Sequence, residues 1–259
     1  MTEIKLRSAR KIKRPVTAII QARMESKRLP GKSMLPLAGK PLLHHVIQNT
    51  IAIEGISKVV LATSKAKENL PLIELAESLG IGIFVGSPDN VLERYYLASE
   101  QFGGDFIVRA TGDNPFADPE YAAMAVAIAI ESKADLCSIS NIPLGTAVEV
   151  IKREALVEAF KNSDKPYQFE HVTPYIKKNN ELFHIERHSV NFENPFENLR
   201  LTVDTPEDYE LARILYENLY KDEPLHLKEI IEYLIANPDL NKINGLIQQR
   251  PMTHSEINF

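Results

Sequence analysis

Short apolar, β-branched runs alternate with helix-periodic stretches through the first half of this 259-residue chain, and that alternation restricts the fold more than any other feature. Runs at 17–21, 58–62, 82–85, 105–109 and 135–138 read as strands; stretches at 41–52, 68–79, 90–101, 119–131 and 153–160 read as helices. Strands separated by helical crossovers pair in parallel, and the helices then cover both faces of the sheet. The expected class is α/β, a mostly parallel sheet flanked by helices. Such sheets bind ligands beyond the carboxyl ends of their strands, so the loops that follow strands hold the candidates.

The later chain reads differently. Residues 147–151 and 182–190 alternate like strands of a more exposed, antiparallel lobe spanning about 141–200. A further strand is expected at 198–203, a helix at 206–220, and closing helical segments at 226–236 and 241–248. Residues 16–220 then form one domain with its small lobe, and 221–259 a helical closing segment. Residues 1–15 carry six cations against Glu3, a net of +5 in a chain of net −5, so the remainder carries −10. That segment reads as a disordered leader, and the acidic body argues against a nucleic-acid partner. The longest apolar run, 121–130, is too short to span a bilayer. A single cysteine, Cys137, rules out an internal disulfide framework and fits a reducing, cytoplasmic compartment.

The loop after the first strand is the richest in chemistry. Arg23, Lys27, Arg28 and Lys32 surround a Pro30-Gly31 turn, directly before a helix. Cations and backbone N–H groups on a strand-to-helix loop suit a polyphosphate. Gly31-Lys32-Ser33 resembles the end of a Walker A loop, but Ser26 stands where that motif requires glycine. A dinucleotide glycine fingerprint fails at Val85, and no zinc set completes His184 and His188.

Two carboxylates at other strand ends survive inspection. Asp113 lies in Arg109-Ala110-Thr111-Gly112-Asp113-Asn114-Pro115, which is also good turn chemistry. Asp204 precedes Thr205-Pro206-Glu207-Asp208; a helix cap accounts for Thr205, Pro206 and Asp208 and leaves Asp204 unexplained. Two acids can share a hard cation such as Mg²⁺ with substrate phosphates. A nucleotide-triphosphate site is one reading. A nucleotide-sugar-dependent glycosyltransferase is a second, although its Asp-x-Asp motif fails at Pro115. A non-catalytic nucleotide-binding protein is a third.

These residues give the chain a resemblance to the CTP-dependent cytidylyltransferases that make CMP-activated sugars. The spore-coat polysaccharide branch is most similar; the 3-deoxy-manno-octulosonate and acylneuraminate enzymes are more distant. The pattern A-R-x-x-S-x-R-L-P-G-K is matched from Ala22 to Lys32, and the two aspartate motifs follow in the family's order. The resemblance implies a Rossmann-like fold of the nucleotide-diphospho-sugar transferase type. It implies Mg²⁺-dependent transfer of CMP from CTP to a sugar acid or sugar phosphate, with release of pyrophosphate, in surface polysaccharide or glycan precursor synthesis. Ala22, Arg23, Ser26, Arg28, Gly31, Lys32, Thr63, Arg94, Thr111 and Gly112 then line the nucleotide. Arg23, Arg28, Lys32 and Asp113 are the catalytic set, Asp113 and Asp204 the metal ligands, and Glu149 and His171 acceptor contacts. Thr111 replaces the glutamine of the octulosonate branch. The relatives also suggest a homodimer through the lobe or the closing helices, which could equally cap the protein's own core. Acceptor identity and strict CTP preference stay open.

Overall fold

The computed structural model describes residues 15–192 and 199–249. In chain order, strand β1 (Val16–Gln21) leads through a short 3-10 turn (Lys32–Met34) to the hairpin β2 (Pro36–Leu37) and β3 (Lys40–Pro41). Helix α1 (Leu42–Ile51), β4 (Lys58–Ser64), α2 (Leu70–Ser78), β5 (Gly82–Gly86), α3 (Val91–Phe102), β6 (Phe106–Thr111) and α4 (Pro119–Ser132) continue the alternation. Then come β7 (Leu136–Ser140), β8 (Glu149–Lys152), α5 (Arg153–Asn162), α6 (Pro166–His171), α7 (Pro174–Lys178) and β9 (Ile185–Ser189). Helices α8 (Pro206–Leu219) and α9 (Leu227–Ala236) close the described chain.

One seven-stranded sheet results, in the order β5-β4-β1-β6-β8-β7-β9. β1 lies inside it, next to the central β6, parallel to β4 on one side and to β6 on the other. It is buried on both faces, which is why its sequence reads as an unbroken apolar run. Ile19, Val60, Ala62, Ile107 and Ile151 face α3, α5, α6 and α7. On the opposite face Ala18, Val108 and Val150 meet α4. Beside them Ile20 and Leu61 meet α1, α2 and α8. No helix among the described residues is long and apolar enough to cross a membrane.

The fold class agrees with the expectation: a mostly parallel sheet flanked by helices, with a small two-stranded antiparallel sheet made by β2 and β3. The expected strands at 147–151 and 182–190 do form, but they join the main sheet rather than a more exposed sheet of their own. β8 runs antiparallel between β6 and β7, with Val150 and Ile151 fully buried, and β9 lies parallel to β7 at the edge. The expected strand at 198–203 is not one. Asn198 lies outside the described residues, and the rest is an extended segment with an isolated bridge between Leu144 and Arg200. Its backbone bonds go to different loops, Leu201 N–H to the Leu144 carbonyl (2.7 Å) and Val203 N–H to the Asp113 carbonyl (2.8 Å), so no ladder develops. The helix expected at 241–248 is replaced by a 3-10 turn at Pro238–Lys242 and further turns. The buried Asn244 side chain draws this segment inward. Helices α6 and α7, of six and five residues, are too short to show a period and were not expected. The basic leader lies outside the described residues apart from Pro15.

Two features fix the extended 199–205 segment. Arg200 makes a bidentate pair with Asp208, Nε to Oδ1 at 2.8 Å and Nη2 to Oδ2 at 3.0 Å, both side chains essentially buried. Asn244 Nδ2 donates to the Arg200 carbonyl and to Asp208 Oδ1, and Asp208 also accepts from the backbone N–H groups of Asp204 and Thr205. The predicted capping box of α8 is therefore present, and its acid also anchors the turn that carries Asp204. The second feature is Gly145 at φ +95°, where an added Cβ would lie 2.4 Å from the Thr202 nitrogen. Glycine is needed there twice over, for its backbone angle and for the approach of 201–202.

Gly145→Ala should lower unfolding free energy in urea by more than about 1 kcal/mol, since strain and overlap add. Burial alone would raise the Asp208 pKa, but hydrogen bonds and charge from Arg200 and Asn244 outweigh it and hold the carboxyl below its ordinary range. Its stabilisation is thus fully present above the unfolded-state pKa of about 4 and is lost as pH falls through the lower folded value. Asp208→Asn should be less stable than wild type at neutral pH, with a shallower loss of stability in acid, read by denaturation at several pH values.

Candidate active site

The loop after β1 is shaped by its own backbone. Gly31 takes the left-handed conformation, φ 71°, and donates its N–H to the Met24 carbonyl at 3.0 Å, closing the basic stretch into a compact turn. The Lys32 N–H goes to the Leu29 carbonyl at 3.2 Å. The amides of Gly31 and Lys32 are thus engaged within the loop, contrary to the expectation that the amides around Gly31 point to a ligand. Asn69, fully buried, ties the loop to the sheet: its Oδ1 accepts from Met24 N–H at 2.8 Å, and its Nδ2 reaches Ser64 Oγ at 2.7 Å. Ser26 Oγ accepts from Leu29 N–H at 3.3 Å.

Lys32 is the convergence point. Its side chain is 12% exposed, and its ammonium donates to Asp113 Oδ2 (3.0 Å), Asp204 Oδ1 (2.8 Å) and the Val203 carbonyl (2.9 Å). Burial opposes its charge, yet the two carboxylates outweigh that and raise its pKa. Asp113 shows the complementary balance: burial pushes its pKa up, but Lys32 and a hydrogen bond from Thr111 bring it below the ordinary value. Arg28 Nη2 approaches Asp204 Oδ2 at 3.1 Å, and Arg200 Nη2 lies 3.6 Å from the same oxygen. Residues 28, 32, 113 and 204 are thus one cluster at the carboxyl edge of the sheet. Asp113 and Asp204 already share one cation, the Lys32 ammonium, so their donor set fits a divalent ion held by the same two carboxylates.

Other expected residues fall elsewhere. Arg23 is exposed on the loop. Ala22 and Gly112 pack against one another: a Cβ on Gly112 would sit 2.7 Å from that of Ala22, and the Gly112 N–H bonds the Gln21 carbonyl at 2.7 Å. Gly112 is therefore explained by the close approach of two strand ends. Thr63 is fully buried, its hydroxyl without a protein partner. Arg94 is buried as well, and its guanidinium donates to the carbonyls of Ser87 and Pro88.

Glu149 belongs to a second cluster, and His171 lies within electrostatic reach of it. Glu149 accepts from Arg109 Nη1 at 3.0 Å, from the Thr173 hydroxyl at 3.0 Å and from the Lys177 ammonium. Burial would raise its pKa; Arg109 and Lys177 more than reverse that. Sequence reasoning missed Asn69, Arg200, Arg109 and Lys177. Two of these had a signal: Arg109 is two residues before Thr111 on one strand face, and Lys177 follows Thr173 at i, i+4.

Comparison with known proteins gives the family. A family model described as cytidylyltransferase matches residues 17–237. The spore coat polysaccharide biosynthesis protein SpsF of Bacillus subtilis is 35% identical over 85% of this chain and 94% of its own length. The solved cytidylyltransferase of Leptospira borgpetersenii superposes with a TM-score of 0.81 at 26% identity, covering 91% of this chain and 98% of that one. A CMP:2-keto-3-deoxy-manno-octonic acid synthetase solved with CTP shares the fold, at TM-score 0.63 and 18% identity, over 80% of this chain and all of its own. A nucleotidyltransferase, the chain belongs to the cytidylyltransferase family.

Proposed function

We propose that the protein transfers CMP from CTP to a sugar acid or sugar phosphate, releasing pyrophosphate, with a divalent cation such as Mg²⁺ held by Asp113 and Asp204. The observation that carries this reading is the convergence of both carboxylates on Lys32 beside the basic loop. The CTP bound in the octonic acid synthetase and the polysaccharide role in SpsF's name support the substrate class and its use in surface glycan precursors.

In this mechanism Arg23, Arg28 and Lys32 bind the triphosphate and neutralise charge that grows on the leaving pyrophosphate. Positioning and charge neutralisation are most of what such transfer requires. An acceptor oxygen attacks the α-phosphorus, and the bond from that phosphorus to the bridging oxygen of the leaving group breaks. The Thr111 hydroxyl orients Asp113. The cation supplies charge neutralisation at the phosphate and a lowered pKa for the attacking hydroxyl, so a dedicated protein base is not required. Lys32 has two sets of anionic partners within this scheme, the carboxylates that hold it here and the triphosphate. The single cysteine, buried and with its thiol pushed up to about 11 by burial, suits a cytoplasmic setting.

Asp113→Ala and Lys32→Ala should each cut turnover at least about a hundredfold, the cost of losing one pre-organised charge contact. Both should still fold, because the carboxylates are 29% and 24% exposed and water can replace the lost partner. CTP-dependent pyrophosphate release across an acceptor panel, with circular dichroism of each variant, tests this. Near-normal turnover by a variant would remove that residue from the mechanism.

A further inference from the structure

Helices α4 and α9 begin side by side, α4 after its N-cap Asp118 and α9 after His226. Asp118 joins the two starts. Its Oδ1 accepts from the Glu120 N–H at 2.8 Å, and its Oδ2 accepts from the Leu227 N–H at 2.7 Å. The side chain is only 3% exposed, so these backbone donors answer part of a buried charge. The His226 ring lies against the same carboxylate. Its Nδ1 is buried, has no hydrogen-bond partner, and stands 3.9 Å from Asp118 Oδ2 and 3.9 Å from Glu120 Oε1.

That spacing is informative. A hydrogen bond from a protonated ring to either carboxylate would close to roughly 2.7–3.2 Å. The observed gap instead matches the roughly 3–4 Å between neighbouring donors around a metal whose bonds are about 2.0–2.2 Å long. One ligand atom from each of Asp118, Glu120 and His226 lies within 4.8 Å of the other two. Asp118 is fixed by burial, whereas the Glu120 side chain is 81% exposed and can swing to close the remaining distance. Helix N-termini by themselves favour an anion; two carboxylates and a ring nitrogen reverse that preference. One imidazole with two carboxylates suits zinc or a neighbouring transition metal better than magnesium, which takes oxygen ligands alone. Three protein ligands leave a position for water.

We propose that Asp118, Glu120 and His226 form a second metal site, for zinc or a similar divalent transition-metal ion, that clips the start of α9 to the start of α4. The site shares no residue with Asp113 and Asp204, and it does not depend on the cytidylyl-transfer reading. Its position gives it a bracing role. The loop that begins at Asp113 ends at Asp118, and the Asp118 N–H is held by the Thr146 carbonyl at 3.0 Å. Thr146 is fully buried next to Gly145, where the segment leading to Asp204 passes. An ion at this point steadies the loops behind both acids and fixes the closing helix to them.

The test follows the imidazole NMR signals of His226, assigned with a His226→Gln variant. The full chain, stripped with EDTA and dialysed, is titrated with zinc chloride, and thermal unfolding is recorded with and without the metal. One equivalent of zinc should move the His226 signals saturably and raise the melting temperature. Magnesium chloride at the same concentration should leave those signals in place. Glu120→Gln, at an exposed site that should not disturb folding, should weaken zinc at least about tenfold, since loss of even an outer partner of a metal ligand costs about ten- to a hundredfold in affinity. His226→Gln should abolish the zinc-dependent rise in melting temperature. Asp204→Asn should leave the response of His226 to zinc unchanged, which separates this site from the first pair of acids. Zinc that leaves the His226 signals unmoved, or an affinity unchanged in Glu120→Gln, overturns the proposal.

Discussion

A lysine ammonium held between two carboxylates and a carbonyl is the interaction on which the site depends. Lys32 comes from the loop after the first strand, Asp113 from the loop after the central β6, and Asp204 and the Val203 carbonyl from a segment some ninety residues further on. Removing one partner from such a group leaves the others as uncompensated charge, which is costly in proportion to burial. The arrangement therefore gathers three distant stretches at one edge of the sheet. It also pre-assembles the acids around a single positive charge before any ligand arrives.

The surrounding fold supplies the rigidity for this. Asn69 ties the basic loop to the end of β4, and the Gly112–Ala22 contact brings the ends of β1 and β6 together. Arg200, Asp208 and Asn244 pin the turn that delivers Asp204, and Gly145 lets that turn pass close by. Each is a buried polar bond or a close backbone approach. A small displacement of any one would spread Lys32 from its acids. The second cluster is built by other means, a strained turn at Val172 and two cations on one carboxylate, on the same face of β6.

Much of this was legible in sequence because it rests on local rules. The parallel sheet follows from apolar runs alternating with helical periods, and the α8 capping box from Thr205, Pro206 and Asp208 at their offsets. Lys32 stood out among the cations clustered on the first loop, and Asp204 as an acid that the helix cap leaves unexplained; the Asp113 motif alone reads equally well as a turn. What escaped depends on tertiary contact. Residues 199–204 look like a strand, yet they pair with separate loops and form no ladder. Asn69 and Asn244 fall in stretches that read as helical, and only their burial and hydrogen bonds show that they are ties. Arg94 stands out in sequence only through the family resemblance, and its hold on two carbonyls shows only in the fold. The late strands join the main sheet because Val150 and Ile151 are taken into its core, a preference that alternation alone does not reveal.

The central claim is that Lys32 stands between the acids in the free protein and serves the triphosphate in the loaded one. A crystal structure of this chain with CTP and a divalent cation tests it directly. The account predicts that the Lys32 ammonium moves from Asp113 and Asp204 to a phosphate oxygen, with the cation between the two carboxylates. A Lys32 that keeps both carboxylates while CTP is bound elsewhere would contradict it.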